Sequence, residues 1–177
     1  MNKHKLAFSF IGIFIVQLSY AGYFKHIGRE EGLSQSSVMA IYQDKLGRMW
    51  FGTREGVNIY NSDRMTVYKA CIQNGNQPDK KFLIGNEVSA ITGSQNGDVF
   101  LIVDRALLKY DIRKETFERL RQGSVYALTS HAGEIWCAGH DSIFRYNPQN
   151  NQLDFQQKTG IPSINYLMTD GNRFYIG

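Results

Sequence analysis

Short hydrophobic runs, each bounded by turn-forming residues, follow one another along the chain from residue 35 onward. Hydrophobic and polar residues alternate over 38–43, and large apolar residues fill half of 48–53. Two further short runs, 57–60 and 65–69, flank a polar turn. Alternation with a period of two between turns that contain Gly, Asp or Asn is typical of β-strands, and nothing after residue 22 keeps a helical period. The pattern predicts a meander of four short antiparallel strands.

The same pattern recurs along the chain. Trp50, Phe100, Trp136 and Phe174 each stand three residues after a turn glycine, at spacings of 50, 36 and 38 residues. A tyrosine follows each of the first three aromatics by ten residues. A four-stranded unit that repeats every ~40 residues indicates a β-propeller. The repeat anchors are Asp44, Gly47, Trp50, Gly52, Gly56 and Tyr60, then Gly97, Phe100 and Tyr110, then Gly133, Trp136, Gly139 and Tyr146, and finally Gly171 and Phe174.

We therefore expect an all-β fold, a β-propeller with four-stranded antiparallel blades, of which this chain holds about three and a half, so that the ring is incomplete. A β-sandwich would also contain short strands, but it does not require an aromatic at a matched distance after a turn glycine in every repeat. The predicted divisions are an orphan outer strand and linker at 22–34, blade 1 at 35–69, an inserted loop at 70–84, blade 2 at 85–121, blade 3 at 122–158 and the start of blade 4 at 159–177.

The first 21 residues have the organisation of a secretory signal peptide. A basic start at 1–5 precedes an apolar run at 6–16, and Ser19 and Ala21 satisfy the small-residue rule for signal peptidase. The apolar run is shorter than the roughly 20 residues that a membrane-spanning helix needs. We expect cleavage after Ala21 and export of residues 22–177, with an uncleaved signal anchor as the alternative.

Composition narrows the class of protein. Of the 177 residues, 42% are hydrophobic and 13% aromatic, which excludes a disordered chain. Residues 22–177 hold 18 Lys and Arg against 16 Asp and Glu, so this region has no basic footprint for nucleic acid. The two cysteines, Cys71 and Cys137, exclude a disulfide-rich miniprotein. They could pair in an exported protein, although they belong to different parts of the repeat array.

Familiar catalytic motifs are absent from the sequence. It has no HExxH, P-loop, CxxC or GxSxG motif, and we expect no metal site and no cofactor. The tripeptide at 140–142 contains the residue types of a catalytic triad, but neighbours on an extended chain point to opposite sides. We expect Trp50 and Trp136 to pack between blades and not to serve as platforms for sugar stacking.

The best candidates for ligand contact lie in the predicted turns between second and third strands. In a propeller these turns share one face with the segments that connect consecutive blades. Arg54, Asp104 and His140 each stand six residues before a tyrosine anchor, and Arg105 and Asp141 adjoin them. Different charged residues at one equivalent loop position fit a surface that recognises a polar ligand, and ordinary solvated turns are the alternative.

The combination of motif residues in the first copy resembles the two-component regulator propeller repeat. The resemblance rests on Gly32-Leu33-Ser34, Val38, Asp44, Gly47, Trp50-Phe51-Gly52-Thr53, Gly56-Val57 and Tyr60. The second copy departs from it, because Gln95-Asn96 stands in place of the turn Asp, and the third copy also lacks that Asp. The resemblance extends over residues 23–177. It implies two consecutive seven-bladed propellers, a small β-domain, one transmembrane helix and a histidine kinase, whose motifs do not occur in this sequence.

What the resemblance implies about function is an extracytoplasmic sensor at the periplasmic face of the inner membrane. Such a sensor would act as a homodimer and recognise an oligosaccharide or another small polar ligand, and it would switch on genes for polysaccharide use. This region would not be an enzyme, would not bind nucleic acid, and would meet the membrane only through segments outside this stretch. The alternatives are a propeller-fold glycosidase or lyase and a secreted binding or scaffold propeller.

Overall fold

The computed structural model describes residues 24–70 and 83–177. The predicted signal peptide at 1–21 and residues 71–82 of the inserted loop, Cys71 among them, lie outside the described residues. The described part contains no helix that is long and apolar enough to cross a membrane.

Three four-stranded antiparallel sheets and one two-stranded sheet make up the described fold. In each four-stranded sheet the strands pair in chain order, as a meander does. The first sheet holds β1 (Val38–Gln43), β2 (Met49–Thr53), β3 (Gly56–Tyr60) and β4 (Met65–Tyr68). The second holds β5 (Val88–Gly93), β6 (Val99–Val103), β7 (Ala106–Asp111) and β8 (Thr116–Arg121). The third holds β9 (Ala127–His131), β10 (Glu134–Gly139), β11 (Ser142–Asn147) and β12 (Gln152–Lys158), and the last holds β13 (Leu167–Thr169) and β14 (Phe174–Ile176).

The sheets stand side by side around their first strands. Strand β1 lies against β5, β5 against β9, and β9 against β13. First strands that converge while later strands fan outward are the arrangement of propeller blades. The prediction of an all-β fold with four-stranded antiparallel blades in an incomplete ring is therefore confirmed.

The second and third sheets each contribute side chains to two cores, one on each face. Along β6, Leu101 faces the core shared with the first sheet, while Phe100 and Ile102 face the core shared with the third. All five side chains of β6 are buried, which explains why this strand is apolar without alternation. A third core joins β10 and β11 to the last sheet through Ala138 and Leu167.

Asp44 ties the first turn of the first sheet to its aromatic anchor. One carboxylate oxygen of this buried side chain accepts hydrogen bonds from the backbone N–H groups of Leu46 and Arg48, at 3.0 and 2.9 Å. The other oxygen accepts from the Arg48 Nε–H at 2.7 Å and from the Trp50 indole N–H at 2.8 Å. A single residue therefore closes the turn and orients the tryptophan that packs against the next blade.

The register corrects the predicted alignment of the second turn of this kind. The Asp44 N–H donates to the Arg48 carbonyl, and the Ser94 N–H donates in the same way to the Asp98 carbonyl. Ser94, and not Gln95-Asn96, therefore occupies the position of Asp44. In the third sheet His131 pairs with Glu134 across only two residues, so its turn is one residue shorter than the other two.

The predicted orphan strand has no strand partner within the described residues. Residues 24–27 belong to no strand, and the Phe24 side chain is 96% exposed. A strand is defined by its hydrogen-bonded neighbour, so the prediction for 22–34 depends on strands other than those described here. The other predicted divisions also remain predictions.

Candidate ligand-binding face

The turns between second and third strands contain only two residues each, at 54–55, 104–105 and 140–141, and we call them the second turns. They lie at the same end of the sheets as the segments that connect one blade to the next. This end, with its second turns and linkers, is called the linker face below. All five ligand-contact candidates, namely Arg54, Asp104, Arg105, His140 and Asp141, occupy second turns.

Backbone hydrogen bonds join each linker between two blades to the second turn of the blade before it. The Gly56 N–H, at the end of the first of these turns, donates to the Asn86 carbonyl at 2.8 Å, and the Val125 N–H donates to the Arg105 carbonyl at 3.0 Å. The Ile164 N–H donates to the His140 carbonyl at 3.2 Å. Because these three linkers are held by backbone bonds, the side chains beside them project from a fixed frame.

Asp104 is hydrogen-bonded to the linker that precedes its own blade. Its two carboxylate oxygens accept the backbone N–H groups of Asn86 and Glu87, at 2.9 and 3.0 Å. Its own N–H donates to the Glu87 carbonyl at 2.9 Å. Asp104 and Arg105 have φ angles of 45° and 63°, the left-handed conformation that a two-residue hairpin turn of this type requires. The Asp104 carboxylate therefore holds the backbone in place.

Arg105 and His140 come together around a tyrosine that the sequence analysis did not select. The Arg105 guanidinium lies over the Tyr126 ring, 5.7 Å from its centroid. The His140 ring meets Tyr126 edge to face at 5.8 Å, and its Nε2 atom lies 2.9 Å from the Ser124 hydroxyl. These four residues, Arg105, Ser124, Tyr126 and His140, form the linker cluster, which joins the second and third blades.

The two remaining candidates lie apart from that cluster. Asp141 accepts a hydrogen bond from the Ser142 hydroxyl at 2.9 Å and lies 3.5 Å from the Lys158 ammonium. The Ser142 hydrogen bond and the Lys158 charge lower the pKa of this exposed carboxyl below its ordinary value. Arg54 is exposed and has no hydrogen bond or ion pair within the ranges 24–70 and 83–177. It is the candidate with the most freedom to contact a ligand.

A pattern in the repeat would have allowed Tyr126 to be selected from the sequence. At the start of the first strand, or just before it, the motif Val-x-Ala recurs in the first three blades at 38–40, 88–90 and 125–127, and the middle position is Met39, Ser89 or Tyr126. Because the equivalent position in the second copy is a serine, Tyr126 is not needed for the core that the blades share. Aromatic rings that expose one face are common contact groups for ligands.

The linker face offers guanidinium, imidazole, phenol and hydroxyl groups on a rigid backbone frame. Within the described part of the chain, no group of three or more His, Cys, Asp or Glu residues is arranged to hold a metal ion.

Comparison with known proteins places the first copy of the repeat in a family. Residues 32–55 match the family model described as two component regulator propeller. These residues are a two component regulator propeller repeat. The repeat covers the last residues of the first linker, β1, the turn held by Asp44, β2 and the second turn that contains Arg54.

A curated relative and two solved structures resemble the chain around this regulator propeller repeat. Histidine kinase P4 of Formosa agariphila is 39% identical over 64 residues, which is 36% of this chain and 5% of the relative. The extracellular domain of the protein named as hybrid two component system BT3049 from B. thetaiotaomicron superposes with a TM-score of 0.71 at 23% identity, covering 86% of this chain and 23% of that chain. A virginiamycin B lyase from Staphylococcus aureus superposes with a TM-score of 0.58 at 14% identity, covering 79% of this chain and 48% of that one.

The two structural matches concern the fold and not the function of this chain. At 23% and 14% identity, the two structural matches establish the propeller fold alone. They include both an extracellular domain of a two component system and a lyase. The chain spans a small fraction of the length of the histidine kinase and about a quarter of that of the extracellular domain.

Proposed function

We propose that this chain is part of the extracytoplasmic ligand-sensing propeller of a two-component regulatory system. The observation that carries the proposal is the regulator propeller repeat at 32–55, which occurs together with 39% identity to a histidine kinase over 64 residues. The likeness to the extracellular domain of a hybrid two component system supports it through the fold. In this proposal the signal peptide at 1–21 directs the propeller to the periplasm, where the sensor works as a homodimer.

The proposed ligand is an oligosaccharide or another small polar molecule, and the proposed site is the linker face. Tyr126 offers an aromatic ring, and Arg54 and Arg105 offer exposed guanidinium groups that donate several hydrogen bonds each. His140 is fixed beside that ring by Ser124. Loops held on a rigid β-frame are the usual place for binding residues, because the frame limits the conformational entropy lost on binding.

Calorimetric titration with a panel of neutral and acidic oligosaccharides tests this proposal. Once a binding oligosaccharide is identified, Arg54→Ala and Tyr126→Ala should each weaken its affinity about tenfold or more, because a hydrogen bond to a charged group or a stacked ring contributes roughly 1.5 kcal/mol. Arg113→Ala is the matched control, since Arg113 is exposed in the β7–β8 turn at the opposite end of the second sheet.

Two results would contradict the proposal. Unchanged affinity in both linker-face variants would remove this face from the site, and the absence of binding across the panel would remove the oligosaccharide. The same samples should be analysed for cleaved products. Because a sensor binds without turnover, accumulation of products would favour the glycosidase or lyase alternative.

A further inference from the structure

A cleft of about 370 Å³ lies between the second and third blades, at the end of the sheets opposite the linker face. It opens between the turn that joins β5 to β6 and the turn that joins β9 to β10. The lining includes Gln95, Asn96, Glu134, Ile135, Tyr146 and Pro148. A cleft of this size is at the lower end of the range found for small-molecule sites, roughly 300–1,000 Å³.

The repeat explains why a cleft exists at this particular position. Between the first and second blades, the space beside Gly97 is bordered by the Lys45 and Ile112 side chains, whose nearest atoms are 4.0 Å from the point where a Cβ would lie. At the next junction Gln95 stands in place of Lys45, and Pro148 stands in place of Ile112, two residues after the tyrosine anchor. The β9–β10 turn is also one residue shorter than its counterparts. The shorter turn brings Gly133 against Gln95, whose N–H donates to the Gly133 carbonyl at 2.8 Å, and the cleft lies beside this contact, where the smaller Gln95 and Pro148 side chains border it.

The floor of the cleft is apolar and held rigidly. Ile135 and Tyr146 are 1% and 5% exposed. The Tyr146 hydroxyl donates to Asn151 Oδ1 at 2.7 Å and accepts from the Lys109 ammonium at 3.1 Å, so the ring cannot swing into the space. A fixed aromatic ring beside a proline suits the apolar face of a ligand.

The rim of the cleft is rich in hydrogen-bond acceptors. The exposed Gln95 side chain makes no hydrogen bond within the described residues, and Glu134 contributes a half-exposed carboxylate. Three cations lie near the rim, and each has a partner. Arg145 pairs with Glu134 at 3.4 Å, Lys109 pairs with Asp98 at 3.6 Å, and the Lys45 ammonium donates to the Gln95 carbonyl. A ligand with hydroxyl or ammonium donors fits the acceptors of this rim, whereas an anion would lie beside the Glu134 carboxylate.

We propose that the cleft between the second and third blades is a binding site for a small molecule that presents an apolar face and hydrogen-bond donors. The cleft is separate from the linker face, so this proposal does not depend on the sensing site proposed above. Gln95 and Glu134 would accept the donors, and Tyr146 and Pro148 would contact the apolar face.

Saturation-transfer NMR on the full chain tests the proposal with three probes that share one ring. Methyl glucoside is uncharged, glucosamine carries an ammonium group, and glucuronate carries a carboxylate. We expect signals from the first two probes and at least about a tenfold weaker affinity for glucuronate, which corresponds to 1.4 kcal/mol. Gln95→Lys restores the side chain that borders the preceding junction and should weaken methyl glucoside binding by a similar factor. Gln43→Lys, the same change at an exposed position at the end of β1, is the control and should bind as the wild type does.

A second substitution, Pro148→Ile, introduces the residue found at the preceding junction and should weaken binding as Gln95→Lys does. Circular dichroism verifies that both variants are folded. Equal binding of glucuronate, equal affinity in Gln95→Lys and Gln43→Lys, or the absence of signal from all three probes would overturn the proposal. Gln95→Lys and Pro148→Ile change residues that line the cleft and no residue of the linker face, so a failure of the linker-face proposal is distinguishable from a failure of this one.

Discussion

Trp50 and Tyr110 belong to different blades and meet edge to face, with their ring centroids 5.0 Å apart and their planes at 74°. The next junction repeats the contact with Phe100 and Tyr146, at 4.8 Å and 62°. The aromatic anchor on the second strand of one blade thus packs on the tyrosine anchor on the third strand of the following blade. Each aromatic anchor and the tyrosine ten residues after it belong to one blade. The two side chains nevertheless make ring contacts with anchors of neighbouring blades.

This contact predicts energetic coupling between neighbouring blades. A double-mutant cycle of Trp50→Ala and Tyr110→Ala, measured by urea unfolding, should give a coupling energy of about 1 kcal/mol, the usual value for an edge-to-face pair. Each single variant should lose about 3–5 kcal/mol because both side chains are fully buried. Trp50→Ala combined with Tyr146→Ala is the control, because those residues lie at different junctions. Additivity in the first cycle would mean that the rings only fill space.

Removal of the Asp44 carboxylate should destabilise the first blade. In Asp44→Ala the Trp50 indole N–H and the Arg48 guanidinium lose their acceptor in a buried site, so we expect a loss of about 3 kcal/mol or more in the free energy of unfolding. Asp63→Ala, in the exposed β3–β4 turn, should change stability by less than about 0.5 kcal/mol. Equal stability of the two variants would contradict a structural role for Asp44.

The stabilisation by Asp44 should also depend on pH. Burial raises the pKa of this carboxyl, but hydrogen bonds from Trp50 and Arg48 outweigh burial, and the pKa lies below its ordinary value. A lowered pKa in the folded state stabilises the protein above the unfolded-state pKa, near ~3.9, and that contribution is lost as the pH falls through the folded-state value. The difference in stability between wild type and Asp44→Ala should therefore shrink below pH ~4. A constant difference down to acid pH would argue against the ionised form.

How far the sequence predicts this structure depends on whether a feature recurs in the repeat. Residues 38–43 alternate, and β1 has those bounds, while β3 begins at Gly56, one residue before the predicted start. The shortened turn after His131 could not be aligned from sequence because its aromatic anchor keeps the same distance from the turn glycine. Packing of Trp50 between blades was predicted, but its partner could not be. Periodicity tells which side chains of a strand share a face, but not that Trp50 would meet Tyr110 or that Arg105 and His140 would flank Tyr126.

Cys137 should be unreactive in the folded protein. Its side chain is 1% exposed in the core between the second and third blades, and burial raises the pKa of the thiol to about 12. Because the thiolate is the reactive species, a Cys71→Ser variant, in which Cys137 is the remaining thiol, should react with a disulfide reagent such as DTNB only after denaturant is added. Rapid labelling at pH 8 without denaturant would show that this junction opens readily.

Both ends of the blade series expose apolar side chains, and this should make the chain associate with itself. On β1 the face turned away from the second blade carries Met39 and Ile41, which are 46% and 61% exposed. On the last sheet the cross-strand partners Met168 and Tyr175 are each 44% exposed. Contiguous exposed apolar faces on sheets are sites of association in water.

Sedimentation velocity of residues 22–177 should therefore detect oligomers whose proportion rises with protein concentration. Ile41→Lys together with Met168→Lys places a charge on each apolar face and should shift the population toward monomer, because association would then bury an unpaired ammonium group. The control pair Thr66→Lys and Gln152→Lys adds the same charge at exposed polar positions on fourth strands and should leave the distribution unchanged. A wild-type chain that sediments as a monomer at all concentrations would contradict the expectation. An equal shift in both double variants would attribute the association to net charge and not to the two apolar faces.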